Sequence, residues 1–105
     1  MKVRIKENAF VARLAAGKLK SSGAAIVFGS TIYLHNTTRQ EFLNNTTWVC
    51  HELKHVHQYR HYGFVGFLFR YFFQWIQKGY YNNRFEVEAR KSESDVSLLN
   101  GVEFI

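Results

Sequence analysis

The sequence contains no proline, a single cysteine and no long uninterrupted apolar run. Without proline, there is no rigid Pro-rich linker or tail. The lone Cys50 excludes an internal disulfide, fits a reducing compartment and is expected to be a buried structural thiol. With 105 residues, 47% of them hydrophobic, the chain is long enough for one domain over residues 1–105 with a substantial core.

The sequence has no evident targeting or membrane-spanning segment. The basic N-terminus lacks the apolar run of a cleaved signal peptide, which predicts an uncleaved, cytoplasmic protein. The greasiest segment, Gly63 to Ile76, is interrupted by Arg70 and Gln74, and a spanning helix needs about 20 mostly apolar residues. We therefore expect a core helix here. The alternative is a contact of the aromatic 64–76 segment with a membrane surface or a partner.

The chain is basic, with a formal net charge of +6. Its lysines and arginines are dispersed, and the longest basic run is Arg90–Lys91. A nucleic-acid-binding protein would favour a clustered basic stripe with aromatic stacking platforms. The composition therefore predicts a solvated basic surface and no nucleic-acid partner.

Three short strands are expected in the first third of the chain, because β-branched and aromatic residues favour strands. They are Val3–Ile5, Ala24–Phe28 and Thr31–His35, the last two separated by a turn at Gly29–Ser30. Apolar residues at helical spacing predict a helix over 7–20. The stretch 36–42 is expected to be a connecting loop with at most a helical turn.

Helical patterns dominate the rest of the chain. We predict one helix from Thr46 or Thr47, capped by that residue's hydroxyl, to near Gly63, a second to about Lys78, and a third from Arg84 to Leu99. The residues 79–83 break the pattern, and 101–105 form an edge strand or an ordered tail. This order predicts an α+β domain with a small antiparallel sheet.

The segment HELKH carries the chemistry that the sequence predicts. His51 and His55 lie four residues apart, so a helix presents both imidazoles on one face to a single ion. Glu52 is placed to act as general base and acid on a metal-activated water. This pattern is expected about 0.015 times by chance in a chain of this composition. HELKH therefore predicts a catalytic zinc site.

A catalytic zinc ion needs a third protein ligand. His61 has the spacing of the last metzincin histidine, but Gln58 replaces the glycine that would turn the chain. If the helix continues, His61 lies roughly 9 Å further along the axis and about 240° around it from His55. His61 is therefore not the expected ligand.

A glutamate downstream is the better candidate for the third ligand. Glu86 and Glu88 point to different sides of a helix, and we prefer Glu86 because Ala89 would let two helices approach closely around an ion. Glu88 remains the alternative. Judged alone, Glu86 also fits a structural role, because Asn83 and Glu86 have capping-box spacing and Glu86 and Arg90 have ion-pair spacing.

HELKH with the downstream E-x-x-A of Glu86 to Ala89 resembles the gluzincin metallopeptidases, and in particular the very small minigluzincins, over about residues 24–93. The resemblance implies a minimal zincin-like domain in which a small sheet packs on an active-site helix and a second ligand-bearing helix. It implies zinc bound by His51, His55 and Glu86, with Glu52 as general base and acid. A peptide or protein substrate would lie along a strand beside the helix, for which we expect Thr31–His35.

One position departs from the family pattern. Many members have an aspartate after E-x-x-A that orients a ligand histidine, and Arg90 occupies that position here. The alternative function is therefore a catalytically weak or latent zincin-fold binding module, with the cleft shallow or blocked by the tail 101–105. Tyr80 and Tyr81 are candidates for hydrogen bonding to an oxyanion, although packing is the favoured interpretation.

Overall fold

The computed structural model describes residues 1–7 and 23–105 of the chain. These residues form an α+β fold, as predicted, and the helix expected over 7–20 lies outside them. The strands are β1 (Lys2–Lys6), β2 (Ala24–Phe28), β3 (Thr31–His35) and β4 (Glu103–Phe104). The helices are α1 (Arg39–Asn44), α2 (Thr46–Tyr62), α3 (Phe64–Asn82) and α4 (Arg84–Lys91), followed by a 3-10 helix at Val96–Leu99.

The sheet is mixed, and the prediction of an antiparallel sheet is wrong. The strand order is β2-β3-β1-β4. Only β2 and β3 are antiparallel, joined by a tight turn in which Gly29 has a φ of 65°. β1 pairs in parallel with both β3 and β4. Local pattern cannot reveal this, because β1 and β4 come from opposite ends of the chain and their direction depends on long connections.

The core forms between the sheet and α2. Strand side chains alternate between two faces, so every second residue of β1 and β3 is buried. The buried cluster joins the sheet to α2 through Val3, Ile5, Ile32, Leu34, Val49, Leu53 and Val56. Cys50 is buried, as expected. The face of α2 that carries His51 and His55 therefore has a fixed orientation relative to β2.

The start of α2 differs by one residue from the prediction. The cap is Asn45, whose Oδ1 accepts a hydrogen bond of 3.1 Å from the backbone N–H of Trp48. Thr46 is already helical. Asparagine and threonine are both good caps, so the spacing alone did not identify which of the adjacent residues would be used.

A buried asparagine joins α3 to α4. The helix α3 is interrupted at Gly79, which has a φ of 77°, as the predicted break requires. Asn83 is fully buried, accepts from the backbone N–H of Phe85 and donates its amide to the carbonyl of Tyr71. These bonds fix where α4 begins and so which way Glu86 points.

The last predicted helix is too long. α4 ends at Lys91, and the helix expected to reach Leu99 is replaced by turns and the short 3-10 helix. The Ser92 hydroxyl donates to the carbonyl of Glu88, and Asp95 accepts from the backbone N–H of Ser97. Such short polar side chains compete with helical backbone bonds. The tail 101–105 forms β4 at the sheet edge opposite β2, which confirms the predicted edge strand.

The expectation that α3 is mainly a core helix is wrong. Within α3 only Phe67 is fully buried, and several large apolar side chains are half exposed or more. Among the described residues, no helix has the length and apolar character needed to cross a membrane.

Asn83→Ala should lower the free energy of unfolding by about 2–4 kcal/mol, because it removes a helix cap and leaves the Tyr71 carbonyl without its donor. Urea denaturation of the metal-free protein would measure the loss. The exposed neighbour gives a matched control, and Asn82→Ala should change stability by less than about 0.5 kcal/mol. Equal effects of the two substitutions would contradict the proposed link.

Candidate metal centre

Two histidines and a glutamate converge between α2 and α4. His51 and His55 project from one face of α2, with 5.2 Å between their ring centroids. One carboxylate oxygen of Glu86 lies 3.1 Å from the Nε2 atom of each imidazole. The three potential ligand atoms lie within 4.8 Å of one another. Among residues 1–7 and 23–105 this is the His/Cys/Asp/Glu group with metal-site geometry.

These side chains fit a zinc ion in chemistry and in spacing. Zinc in catalytic sites is held by imidazole nitrogens and carboxylate oxygens at about 2.0–2.2 Å, so ligands on one tetrahedral ion are about 3.3 Å apart. The observed separations of 3.1 Å are close to that value. The cluster also lies at a partly enclosed position, since His55 and Glu86 are buried and His51 is nearly so.

Both histidines are held through their other ring nitrogen. His51 Nδ1 lies 2.8 Å from Glu93 Oε2, and His55 Nδ1 lies 2.8 Å from Gln58 Oε1. The Gln58 amide nitrogen donates to the carbonyl of Phe85 and to Glu88, which fixes its oxygen toward His55. Both partners accept, so Nδ1 carries the proton and Nε2 is directed at the cluster.

Glu93 supplies an orienting contact for His51, which Arg90 in the place of an aspartate had put in doubt. Arg90 does not contact the ligand histidines; its guanidinium stacks on the ring of Tyr81 and donates to the Tyr81 carbonyl. Because α4 ends early, the chain turns and brings Glu93 back to His51. Glu93 was not predicted, because the expected continuous helix hid the turn that positions it. Gln58 was predictable as an orienting residue, since it follows His55 by three residues.

The other candidate ligands lie elsewhere. Glu88 accepts from Gln58 and pairs with Arg84 at 3.7 Å, so its carboxylate faces away from the imidazoles. His61 is exposed and packs against the ring of Tyr62. The geometry therefore favours Glu86 over both alternatives.

Tyrosines complete the surroundings of Glu86. The Tyr71 hydroxyl donates a hydrogen bond of 2.6 Å to the second carboxylate oxygen of Glu86. Burial and the charge of Glu86 raise the pKa of both Tyr71 and Tyr80, so both keep their protons. Tyr80 was a sequence candidate, whereas Tyr71 was missed because it lies in the aromatic run that was interpreted as core.

The cluster has strongly perturbed pKa values without metal. Burial would raise the pKa of Glu86, but hydrogen bonds from His51, His55 and Tyr71 hold it far below its ordinary value. Burial alone would lower the pKa of His51, but Glu86, Glu52 and Glu93 raise this pKa to about 9. The pKa of His55 is also raised, against the effect of burial, mainly by its bond to Glu86. In the metal-free protein the cluster therefore retains a proton at neutral pH.

Glu52 lies beside the cluster and faces a cavity. It is buried, and this burial raises the pKa of its carboxyl to about 7, although the charges of His55 and His51 oppose the shift. The cavity has a volume of about 150 Å³ and is lined by residues of β2, α2, α3 and α4, including Glu52, His55 and Glu86. A carboxyl that titrates near neutrality next to a potential metal is suited to proton transfer.

A second cavity adjoins the first one beside strand β2. Its volume is about 360 Å³, and its lining includes His51 and Glu93. Ala25, Glu52 and Tyr80 line both cavities. Together the two cavities form a groove along β2, an edge strand of the sheet that the described residues form, and not along Thr31–His35 as expected, because β3 lies between β2 and β1. The tail at β4 is on the opposite edge of the sheet, which does not favour the alternative in which the tail 101–105 blocks the cleft.

Comparison of this chain with known protein families, with curated proteins and with solved structures found no match. The likeness to gluzincins therefore rests on the motif residues.

Glu93→Ala should weaken zinc binding by about 10- to 100-fold, because His51 loses the acceptor that orients it. Competition with a chromophoric chelator would measure the affinity. The control is Glu103→Ala, which removes an exposed carboxylate on β4 at the far edge of the sheet and should have no effect. Unchanged affinity in Glu93→Ala would contradict the orienting role.

Zinc binding should release protons and strengthen as pH rises. The raised pKa of His51, about 9, means that zinc displaces a proton at every pH below that value. Calorimetry at neutral pH in buffers of different ionisation enthalpy should give at least one proton released per zinc. Apparent affinity should increase from about pH 6 to about pH 8. A pH-independent affinity would show that the imidazoles are not ligands.

Proposed function

We propose that this protein is a zinc-dependent peptidase of the gluzincin type, with His51, His55 and Glu86 as metal ligands. The observation that carries the proposal is the approach of Glu86 to both Nε2 atoms from a separate helix, at 3.1 Å each. A chance HELKH helix would not require a distant carboxylate at this point. The Nδ1 contacts of both histidines add support, because orienting partners are typical of metal-bound imidazoles.

Glu52 is the proposed general base and acid. A zinc ion in this site would supply Lewis acidity and lower the pKa of water toward about 7. Glu52 accepts the proton of the attacking water and delivers it to the leaving amine. Its burial beside the cluster, which in the metal-free protein raises the pKa of the Glu52 carboxyl, places it to exchange a proton with water in the cavity. Tyr80 remains protonated beside the cluster and can donate a hydrogen bond to a developing oxyanion, whereas the Tyr71 hydroxyl proton is donated to Glu86.

The proposed substrate is an extended peptide lying along β2. An exposed sheet edge offers unpaired backbone donors and acceptors, and an extended chain can add to it as a further strand. The carbonyl to be attacked would then lie over Ala25, where the two cavities meet at Glu52. Backbone pairing holds the peptide regardless of its side chains.

A second candidate is a zincin-fold module that binds zinc and a partner without cleaving it. The narrow cavity beside Glu52, about 150 Å³, favours this alternative because it can accept little more than one side chain. Retention of zinc with no cleavage of a diverse peptide library would support it over the peptidase.

Glu52→Gln should abolish peptide cleavage, with a loss of at least about 100-fold in kcat, while stoichiometric zinc is retained. His51→Ala and His55→Ala should lose zinc itself. Elemental analysis and cleavage of a quenched peptide library would measure the two properties. Glu103→Gln is the matched control and should behave as wild type. Full peptidase activity in Glu52→Gln would contradict the proposed role of Glu52 as general base.

A further inference from the structure

The outer face of α3 carries a stripe of exposed apolar side chains. Their spacing places them on one side of the helix, as in an amphipathic interfacial helix. This aromatic face consists of Val65 (62% exposed), Phe69 (61%), Phe72 (52%), Phe73 (58%) and Ile76 (63%). A shallow depression of about 580 Å³ runs along it, lined by Phe69, Phe72 and Trp75 among others. Such a patch on a small protein marks an interaction site.

The charge around this face is mainly positive. From Leu53 to Phe85 the chain has five lysines and arginines and no aspartate or glutamate. Arg70 follows Phe69 and precedes Phe73 by three residues. Arg70 therefore borders the aromatic face, and the nearby cations outnumber the one acidic group among them, Glu88, which pairs with Arg84.

Two of these cations meet at Tyr62, next to the first half of α3. Arg70 stacks on the ring of Tyr62 at 4.7 Å, and Arg84 donates to the Tyr62 hydroxyl at 2.8 Å. Tyr62 also lines a depression with Lys54 and Arg60 on α2, where Glu88 is the one acidic residue. An occupant of the aromatic face thus meets a basic surface at its border.

The exposed apolar residues and the bordering cations together indicate what binds to the aromatic face. We propose that the aromatic face docks peripherally on an anionic lipid bilayer, with the phenylalanines and Ile76 at the boundary of headgroups and acyl chains. Exposed phenylalanines flanked by lysine and arginine are typical of segments that bind at a membrane interface, and here the cations border the aromatic face while the opposite side of α3 packs on the core. Basic residues near the surface are attracted by anionic lipid. A second copy is disfavoured, since both partners would carry a net charge of +6.

The test uses vesicles of phosphatidylcholine with and without phosphatidylserine. The chain has two tryptophans, so Trp48→Phe leaves Trp75 as the only indole, beside the aromatic face. We expect cosedimentation with the anionic vesicles, a blue shift of Trp75 emission, and much weaker binding to phosphatidylcholine alone or at high salt.

Two sets of variants locate the contact. Phe69→Gln with Phe72→Gln should weaken binding by at least about tenfold, because both side chains leave the interface. Arg70→Gln should weaken it several-fold on anionic vesicles only. The control is Val96→Gln, which changes an equally exposed residue (60%) on the 3-10 helix and should bind as wild type. Circular dichroism would verify that each variant is folded.

Three results would overturn the proposal. The first is no binding to anionic vesicles. The second is a concentration-dependent dimer that dissociates in the variant Phe69→Gln with Phe72→Gln. The third is Trp75 emission that is blue-shifted without vesicles and does not change when they are added. The dimer would show that the aromatic face binds a second copy of the protein. The unchanged Trp75 emission would show that another part of the same chain covers the face. Glu52→Gln and His51→Ala should bind vesicles normally, so this test does not depend on the proposed catalysis.

Discussion

The Glu86 carboxylate joins the three helices from which the candidate metal centre is built. One oxygen faces both imidazoles of α2, the other accepts from Tyr71 of α3, and the residue itself belongs to α4. Taking a carboxylate out of water costs several kcal/mol unless its oxygens find charged or hydrogen-bonding partners. Here the partners of Glu86 are the two imidazoles and the Tyr71 hydroxyl, which form the candidate metal centre. The same contacts that make burial of Glu86 tolerable in the metal-free protein hold the ligands in place for an ion.

This constraint explains the long chain of contacts that surrounds the site. Glu86 faces α2 only if α4 starts in the right phase, which Asn83 determines, and Asn83 depends in turn on the Tyr71 carbonyl. Gln58 then ties His55 to the backbone of α4 through Phe85. Each of these polar groups is satisfied by another, so the network tolerates little variation in helix position.

The sequence predicted the local features well and the non-local ones poorly. Strand bounds at β2 and β3, the break at Gly79 and the pairing of His51 with His55 follow from periodicity and turn chemistry within a few residues. The preference for Glu86 over Glu88 also agreed with the geometry. Glu93 and Tyr71 were missed, because their contacts depend on a turn and on a helix packing that no short pattern encodes. The direction of β1 was missed for the same reason, since its partners are distant in sequence.

The helix α3 also differs from the prediction, because its apolar residues were expected to be buried and many of them are exposed. A helix in a domain of this size has only one side to give to the core, and in α3 that side holds Phe67 and Tyr71. The opposite side is equally apolar, so hydrophobicity alone did not distinguish them. Leu68 and Tyr71 line both the cavity at Glu86 and the depression on the outer face. Since a helix is about 10 Å across, whatever covers the outer face lies within that distance of the cavity wall. Tyr71, which lines both surfaces, is also the residue that donates a hydrogen bond to Glu86.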